Sequence, residues 1–123
     1  MPRLALVVDD SRAIRVHMKD RLLALGFDEV AEASNAEEAW RCFDERDPDV
    51  VFLDMVLPDL SGAVFAKEVL EAAPRTRIVL VSALARDSNE VTAAISAGVR
   101  DFLRKPIDDA ELARVVERLK TSM

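Results

Sequence analysis

The stretch Asp49-Val50-Val51-Phe52-Leu53-Asp54 decides the fold. Its four consecutive apolar residues, three of them β-branched or aromatic, predict a short buried strand. A run that is apolar on both faces is typical of a parallel strand that helices cover on both sides. The run stops at Asp54, and the carboxyl end of such a strand is where α/β sheets place their ligands. Asp54 is therefore the first candidate for a reactive side chain.

Strand-like and helix-like segments alternate on both sides of this stretch. Four further segments, at residues 4–8, 30–33, 78–82 and 99–103, predict strands, and a segment with helical periodicity follows each strand. Capping-box patterns predict helix starts at Ser34, Asp87 and Asp108. Five alternations predict a single α/β domain over residues 1–123, a flavodoxin-like (βα)5 three-layer sandwich. The expected strand order of the parallel sheet is 2-1-3-4-5.

Composition excludes several classes of function. The chain has 123 residues, half of them apolar, and a formal net charge of −6, which argues against nucleic acid as a direct partner. Cys42 is the single cysteine, so an internal disulfide is impossible and a reducing compartment is favoured. The first apolar run is too short for a signal peptide or a membrane span. We therefore expect a cytoplasmic protein that does not act on membranes.

Polar side chains follow four of the predicted strands. Asp9 and Asp10 follow the first strand, Asp54 ends the third, Ser82 ends the fourth and Lys105 follows the fifth. Strands one and three are neighbours in the 2-1-3-4-5 order, so the three carboxylates should converge. Like charges at short range raise one another's pKa values, and a divalent cation relieves the repulsion. Carboxylate oxygens, a backbone carbonyl and water are the ligands that Mg²⁺ prefers, which predicts a Mg²⁺ site.

This set of side chains suits phosphoryl transfer to a carboxylate. Asp54 can act as a nucleophile and form an aspartyl phosphate, and an ionised carboxylate needs no general base. Lys105 can reach a phosphoryl oxygen, and the Ser82 hydroxyl can donate a hydrogen bond to one. Positioning and charge neutralisation supply most of the catalysis of such a transfer. The single histidine, His17, lies mid-helix and is not required.

Short motifs lie in order at the successive strand ends. They are Val7-Val8-Asp9-Asp10-Ser11, Asp54 with Pro58 and Gly62, Ser82-Ala83, Gly98, and Phe102-Leu103-Arg104-Lys105-Pro106. Through these motifs the chain resembles the response-regulator receiver domains (CheY-like) of two-component signalling, over essentially its whole length.

The resemblance implies a role for each of the polar site residues. Asp54 would be the phosphoacceptor, and Asp9 and Asp10 would hold Mg²⁺ together with Asp54 and the backbone carbonyl of Val56. Lys105 would contact the phosphoryl group, and its peptide bond to the following proline is often cis in this family.

The resemblance also implies how phosphorylation would be read. Ser82 would move toward the phosphoryl group, and Phe102 would rotate inward and change the face made by helix four, strand five and helix five. Phe102 lacks a hydroxyl, so its signal would be steric, and an aromatic residue on a strand is also commonly plain core. Val56 and Leu84 are apolar and cannot orient an attacking water, which predicts slow self-dephosphorylation.

The implied function is a switch that does not turn over a substrate. The expected donor is a histidine kinase or a phosphotransfer protein, and the expected target is a protein that binds the changed face. The switch would be a monomer or a phosphorylation-dependent dimer.

Three other interpretations remain open at this point. The chain could be the N-terminal receiver domain of a larger response regulator that controls an attached output domain. It could be an unphosphorylated docking scaffold, although such a scaffold would not need the acidic pair and the lysine. It could also be an aspartyl-phosphate hydrolase of the haloacid-dehalogenase type, but those enzymes usually carry a second Asp at the position of Val56.

Overall fold

The computed structural model describes residues 4–85 and 87–121. Strands and helices alternate along this part of the chain. The strands are β1 (Leu4–Val8), β2 (Glu29–Ala33), β3 (Val50–Asp54), β4 (Arg77–Ser82) and β5 (Asp101–Arg104). The helices are α1 (Arg12–Ala24), α2 (Ala36–Arg46), α3 (Gly62–Ala72), α4 (Asn89–Ser96) and α5 (Asp109–Thr121).

The five strands form one parallel sheet in the order β2-β1-β3-β4-β5, which confirms the predicted topology. Val8 lies opposite Leu53, and Asp54 lies opposite Val81, so β1, β3 and β4 end at nearly the same level. The residues that follow these strands are therefore brought together at the carboxyl edge of the sheet.

The fifth strand begins at Asp101, two residues later than the strand predicted over residues 99–103. Val99 is still part of the turn that ends α4, because its N–H donates to the carbonyl of Ala94. Gly98 makes this turn possible with a φ of 114°, a conformation that glycine adopts without steric cost.

Two of the three predicted helix starts are wrong by one residue. The N-cap of α2 is Asn35, whose side chain accepts the N–H of Glu38 at 2.8 Å. Ser34 instead donates its N–H and its hydroxyl to the Glu38 carboxylate, and these bonds hold the pKa of Glu38 below its ordinary value. The N-cap of α4 is Ser88 in place of Asp87. Asp108 accepts N–H groups at the start of α5, as predicted.

Two apolar layers cover the two faces of the sheet. Leu53 packs on one face with residues of α2, α3 and α4, and its neighbour Phe52 packs on the other face with residues of α1 and α5. Successive strand residues point to opposite faces, so a strand covered on both sides must be apolar throughout. Each large side chain so buried contributes roughly 1.5–3 kcal/mol to folding. None of the described helices is both long and apolar enough to cross a bilayer.

Candidate functional site at the carboxyl edge of the sheet

Three acidic side chains meet where β1 and β3 end. One carboxylate oxygen from each of Asp9, Asp10 and Asp54 lies within 4.8 Å of the other two. Asp9 and Asp54 are buried, with 2% and 7% of their surface exposed, whereas Asp10 is exposed. The structure thus brings together the three acids that the strand order predicted to converge.

Lys105 lies between the two buried acids. Its Nζ is 3.0 Å from Asp9 Oδ2 and 3.2 Å from Asp54 Oδ2. The backbone of Lys105 is fixed to the end of β4, because its N–H donates to the carbonyl of Ser82 at 2.8 Å. The Lys105–Pro106 peptide bond is cis, as the resemblance implied.

Backbone donors hold the other oxygen of each buried acid. Asp9 Oδ1 accepts the N–H of Ser11 at 2.8 Å, and Asp54 Oδ1 accepts the N–H of Val56 at 3.2 Å. Each carboxylate is therefore oriented from two sides, by an amide two residues further along the chain and by the shared ammonium of Lys105.

The charges at this edge do not balance. Burial raises the pKa of Asp54, and the charge of Asp9 adds to that rise, while the Val56 N–H and Lys105 act in the opposite direction. Burial lowers the pKa of Lys105, but the hydrogen bond to Asp9 and the charges of Asp54 and Asp9 outweigh it, so the net shift is upward. Lys105 therefore stays protonated at neutral pH, and one ammonium faces three carboxylates.

A divalent metal ion fits this donor set. All three acids offer hard carboxylate oxygens, the ligands that small divalent cations prefer. Ligands on opposite sides of Mg²⁺ lie about 4 Å apart, since each bond is about 2.0–2.1 Å long. One oxygen from each acid lies within 4.8 Å of the other two, which is close to that separation. The cluster can thus bind a metal ion, which would supply the missing positive charge.

Gly62 allows α3 to begin directly against the site. Its N–H donates to the carbonyl of Met55 at 2.8 Å. A Cβ atom at this position would lie 2.3 Å from the carbonyl oxygen of Asp54 and 2.8 Å from Met55 Cα. These are backbone atoms that cannot yield without moving the acid, so glycine is required here. The sequence marked Gly62 as part of a motif without showing this reason.

Two charged residues that support the site were not found from the sequence. The carboxylate of Asp59 accepts the N–H groups of Ala36 and Glu37 at the start of α2. Arg15 donates to the carbonyl of Asp9 at 2.7 Å and to the carboxylate of Glu32 at 3.2 Å. All partners except Asp9 lie 17 or more residues away in sequence, so no local pattern signals them.

The two predicted switch residues are both buried. The Ser82 hydroxyl accepts the N–H of Leu84 at 2.9 Å, so it faces its own loop. Phe102 is 6% exposed and packs in the same core layer as Leu53. Val56 and Leu84 are exposed, at 70% and 39%.

The fold is a doubly wound α/β sheet in the order 2-1-3-4-5, and its carboxyl edge carries three acids and a lysine. This combination of fold and site is the one that the receiver domains of two-component signalling were expected to show. A family model described as "Response regulator receiver domain" matches residues 5–117. The chain belongs to the response-regulator receiver family.

Relatives of this chain differ greatly in length. A chemotaxis protein CheY of Bacillus subtilis is 35% identical over 123 residues, which span 100% of this chain and 99% of the relative. A DNA-binding transcriptional regulator NtrC of Azospirillum brasilense is 36% identical, but the match covers 95% of this chain and 24% of that protein. A crystal structure of NtrX from Brucella abortus superposes with a TM-score of 0.90 at 33% identity, over 99% of this chain and 28% of that one.

Proposed function

We propose that the protein is a phosphorylation-dependent signalling switch in which Asp54 accepts a phosphoryl group. The observation that carries this proposal is the placement of Asp54, which is buried beside two other acids with Lys105 Nζ 3.2 Å from its Oδ2. The proposed donor is the phosphohistidine of a histidine kinase or of a phosphotransfer protein. The proposed place of action is the cytoplasm.

In the proposed step, a carboxylate oxygen of Asp54 forms a bond to phosphorus. The bond between phosphorus and the donor's imidazole nitrogen breaks, and its electron pair stays on that nitrogen. Lys105 neutralises charge on the phosphoryl oxygens, and the N–H of Val56 keeps the Asp54 carboxylate aligned for attack. Asp9, Asp10 and Asp54, with the carbonyl of Val56, would hold Mg²⁺, which when bound supplies further positive charge for those oxygens.

The proposed readout begins at Ser82. Its hydroxyl would leave the N–H of Leu84 and donate to the phosphoryl group. Phe102 already lies inward, so its switch would be between this buried position and an outward one. Phosphorylation would favour the inward state and so change the surface of α4, β5 and α5 that binds the target protein. The switch would act as a monomer, or as a dimer that forms through the same surface on phosphorylation.

We also propose that the phosphoryl group is lost slowly, so that the protein is a switch and not a turnover enzyme. Val56 and Leu84 are exposed and apolar, and neither side chain can orient a water molecule for attack on phosphorus. We expect the phosphorylated protein to persist for minutes or longer in Mg²⁺ buffer after the donor is removed. A half-life of a few seconds would contradict this proposal.

The experiment that tests the switch uses the purified protein with a phosphorylated histidine donor. Incorporation of the phosphoryl group is measured with Mg²⁺ and again after chelation by EDTA. We expect incorporation that depends on Mg²⁺ in the wild type and none in Asp54→Asn. Equal incorporation in Asp54→Asn, or turnover of a simple phosphomonoester by the wild type, would overturn the proposal.

A further inference from the structure

Asp59 joins the loop that follows β3 to a helix that lies elsewhere in the chain. Residues 55–61 form this loop, and Asp59 lies beyond its midpoint. One carboxylate oxygen accepts the N–H of Ala36 at 2.9 Å, and the other accepts the N–H of Glu37 at 3.1 Å. These are the first two residues of α2, whose N–H groups have no partner within the helix.

The same loop is closed at its base beside the site. The N–H of Gly62 donates to the carbonyl of Met55, and Val56 pairs with Ser61 in an isolated antiparallel bridge. Leu57 anchors one side of the loop in the core. The loop is thus held at its base by its own backbone and at Asp59 by the end of α2.

This loop supplies one of the two contacts that orient Asp54, and the ammonium of Lys105 supplies the other. The N–H of Val56 holds Asp54 Oδ1, and the carbonyl of Val56 is the proposed backbone ligand of the metal ion. A shift of the loop would therefore disturb two groups of the site at once. We infer that Asp59 is a positioning residue of the metal and phosphoryl site, which fixes the backbone at Val56 by capping α2. This inference rests on the proposed function.

The start of α2 has a second cap that does not involve the loop. Asn35 accepts the N–H of Glu38 with its side chain and the N–H of Ala39 with its carbonyl. The hydrogen bond from Ala36 is the main cause that lowers the pKa of Asp59, so the two-bond contact favours the ionised carboxylate. Asn35 and Asp59 therefore cap the same helix end, but only the Asp59 contact reaches the loop that carries Val56.

This difference supplies a matched pair of variants, Asp59→Ala and Asn35→Ala. Both remove a cap from α2, and both should lower the melting temperature by similar amounts. The affinity for Mg²⁺ is measured by isothermal titration calorimetry on the full chain without a phosphoryl donor. Loss of a group bonded directly to a metal ligand costs about 10–100-fold in affinity. Asp59 acts one contact further away, so we expect binding at the low end of that range, about tenfold weaker, in Asp59→Ala and less than about twofold weaker in Asn35→Ala.

Asp59→Asn keeps one acceptor oxygen and should bind Mg²⁺ with an affinity between those of the wild type and Asp59→Ala. It also keeps the test decisive if Asp59→Ala does not fold, since wild-type affinity in Asp59→Asn would then overturn the inference. Equal Mg²⁺ affinities for Asp59→Ala and Asn35→Ala would overturn the inference and leave the proposed function intact. Failure of the wild type to bind Mg²⁺ would overturn both.

Discussion

Acidic side chains gather at both edges of the sheet, but the two edges are built differently. At the carboxyl edge, buried Asp9 and Asp54 share the ammonium of Lys105. At the amino edge, a surface cavity of about 410 Å³ is lined by a larger number of acids. Its lining residues are Leu4, Asp28, Glu29, Glu45, Arg46, Asp47 and Asp49.

The acids of the amino edge support the backbone and pair with arginine. Asp49 accepts the N–H of Leu4 at 3.0 Å, which joins the starts of β1 and β3. Asp47 ends α2 with a φ of 51°, in the left-handed region. Glu29 pairs with Arg46, and both side chains are largely exposed, at 65% and 40%. The comparison teaches that neither a cavity nor a number of acids marks a site. Burial of two carboxylates around one cation is the informative feature.

The largest effect expected from this comparison concerns glycine. Gly62→Ala places a Cβ against the backbone of Asp54 and Met55, whereas Gly26→Ala at the amino edge meets the flexible end of Lys120 at 3.2 Å. We expect Gly62→Ala to lower the free energy of unfolding by about 3 kcal/mol, since overpacking against fixed atoms reaches that size. Gly26→Ala should cost about 1–2 kcal/mol, for its φ of 111° alone. Urea denaturation measures both values.

If Gly62→Ala proves no more costly than Gly26→Ala, the close approach of α3 to Asp54 is not a constraint on the site.

Replacing a lysine at each edge should change the affinity for Mg²⁺ at the carboxyl edge only. Lys105→Ala removes the cation between Asp9 and Asp54, so Mg²⁺ would no longer compete with an ammonium. Hydrogen bonds to charged groups are worth about 1.5–3 kcal/mol, and we therefore expect Mg²⁺ to bind about tenfold more tightly while phosphoryl transfer falls. Lys120→Ala changes the net charge equally, but Lys120 donates to the carbonyl of Leu25 at the amino edge. It should leave Mg²⁺ affinity unchanged in calorimetric titrations.

A parallel rise in affinity in Lys120→Ala would assign the effect to net charge and contradict a specific role for Lys105.

Replacing one acid at each edge should have a smaller effect on the free energy of unfolding, and the effect should have opposite signs at the two edges. Asp54→Asn removes a buried charge while Lys105 keeps Asp9 as a partner, and we expect a gain of about 1 kcal/mol at pH 7 without Mg²⁺. Asp49→Ala leaves the N–H of Leu4 without this acceptor and should cost about 1 kcal/mol. Thermal denaturation of both variants beside the wild type checks the signs.

The gain in stability that we expect from Asp54→Asn should depend on pH. Because the pKa of Asp54 is raised in the folded state, that state binds the proton more readily than the unfolded state. The contribution of Asp54 to the stability of the wild type therefore falls as the pH rises above the ordinary aspartate value of 3.8, and the variant does not share that loss. If the stability difference between Asp54→Asn and the wild type instead grows as the pH falls, burial of the Asp54 charge is not its cause.

Local sequence patterns were sufficient to predict the sheet and the convergence of Asp9, Asp10 and Asp54 at its carboxyl edge. The apolar run before Asp54 required a strand covered on both faces, and the strand order then brought Asp9, Asp10 and Lys105 to the same edge. These predictions hold because the position of a residue at a strand end depends on topology and little on detail.

Contacts between distant segments could not be predicted in this way. Asn35 and Ser34 are both good capping residues, and the choice between them depends on where the Glu38 side chain folds back. Asp59 caps a helix that begins 23 residues earlier, so nothing in its own neighbourhood reveals the contact. The constraint on Gly62 appears only when the backbone of Asp54 is known. Each depends on distances across the fold, which sequence spacing does not contain.

The most direct test of the central claim is to locate the phosphoryl group by peptide mass spectrometry after transfer from a phosphohistidine donor. Both edges carry acids, and five of them line the cavity at the amino edge. We predict that the added phosphoryl group lies on Asp54 and that Asp49→Ala is modified to the same extent as the wild type. Modification at an acid of the amino edge, or at His17 or Ser82, would contradict the claim that the buried cluster around Lys105 makes Asp54 the acceptor.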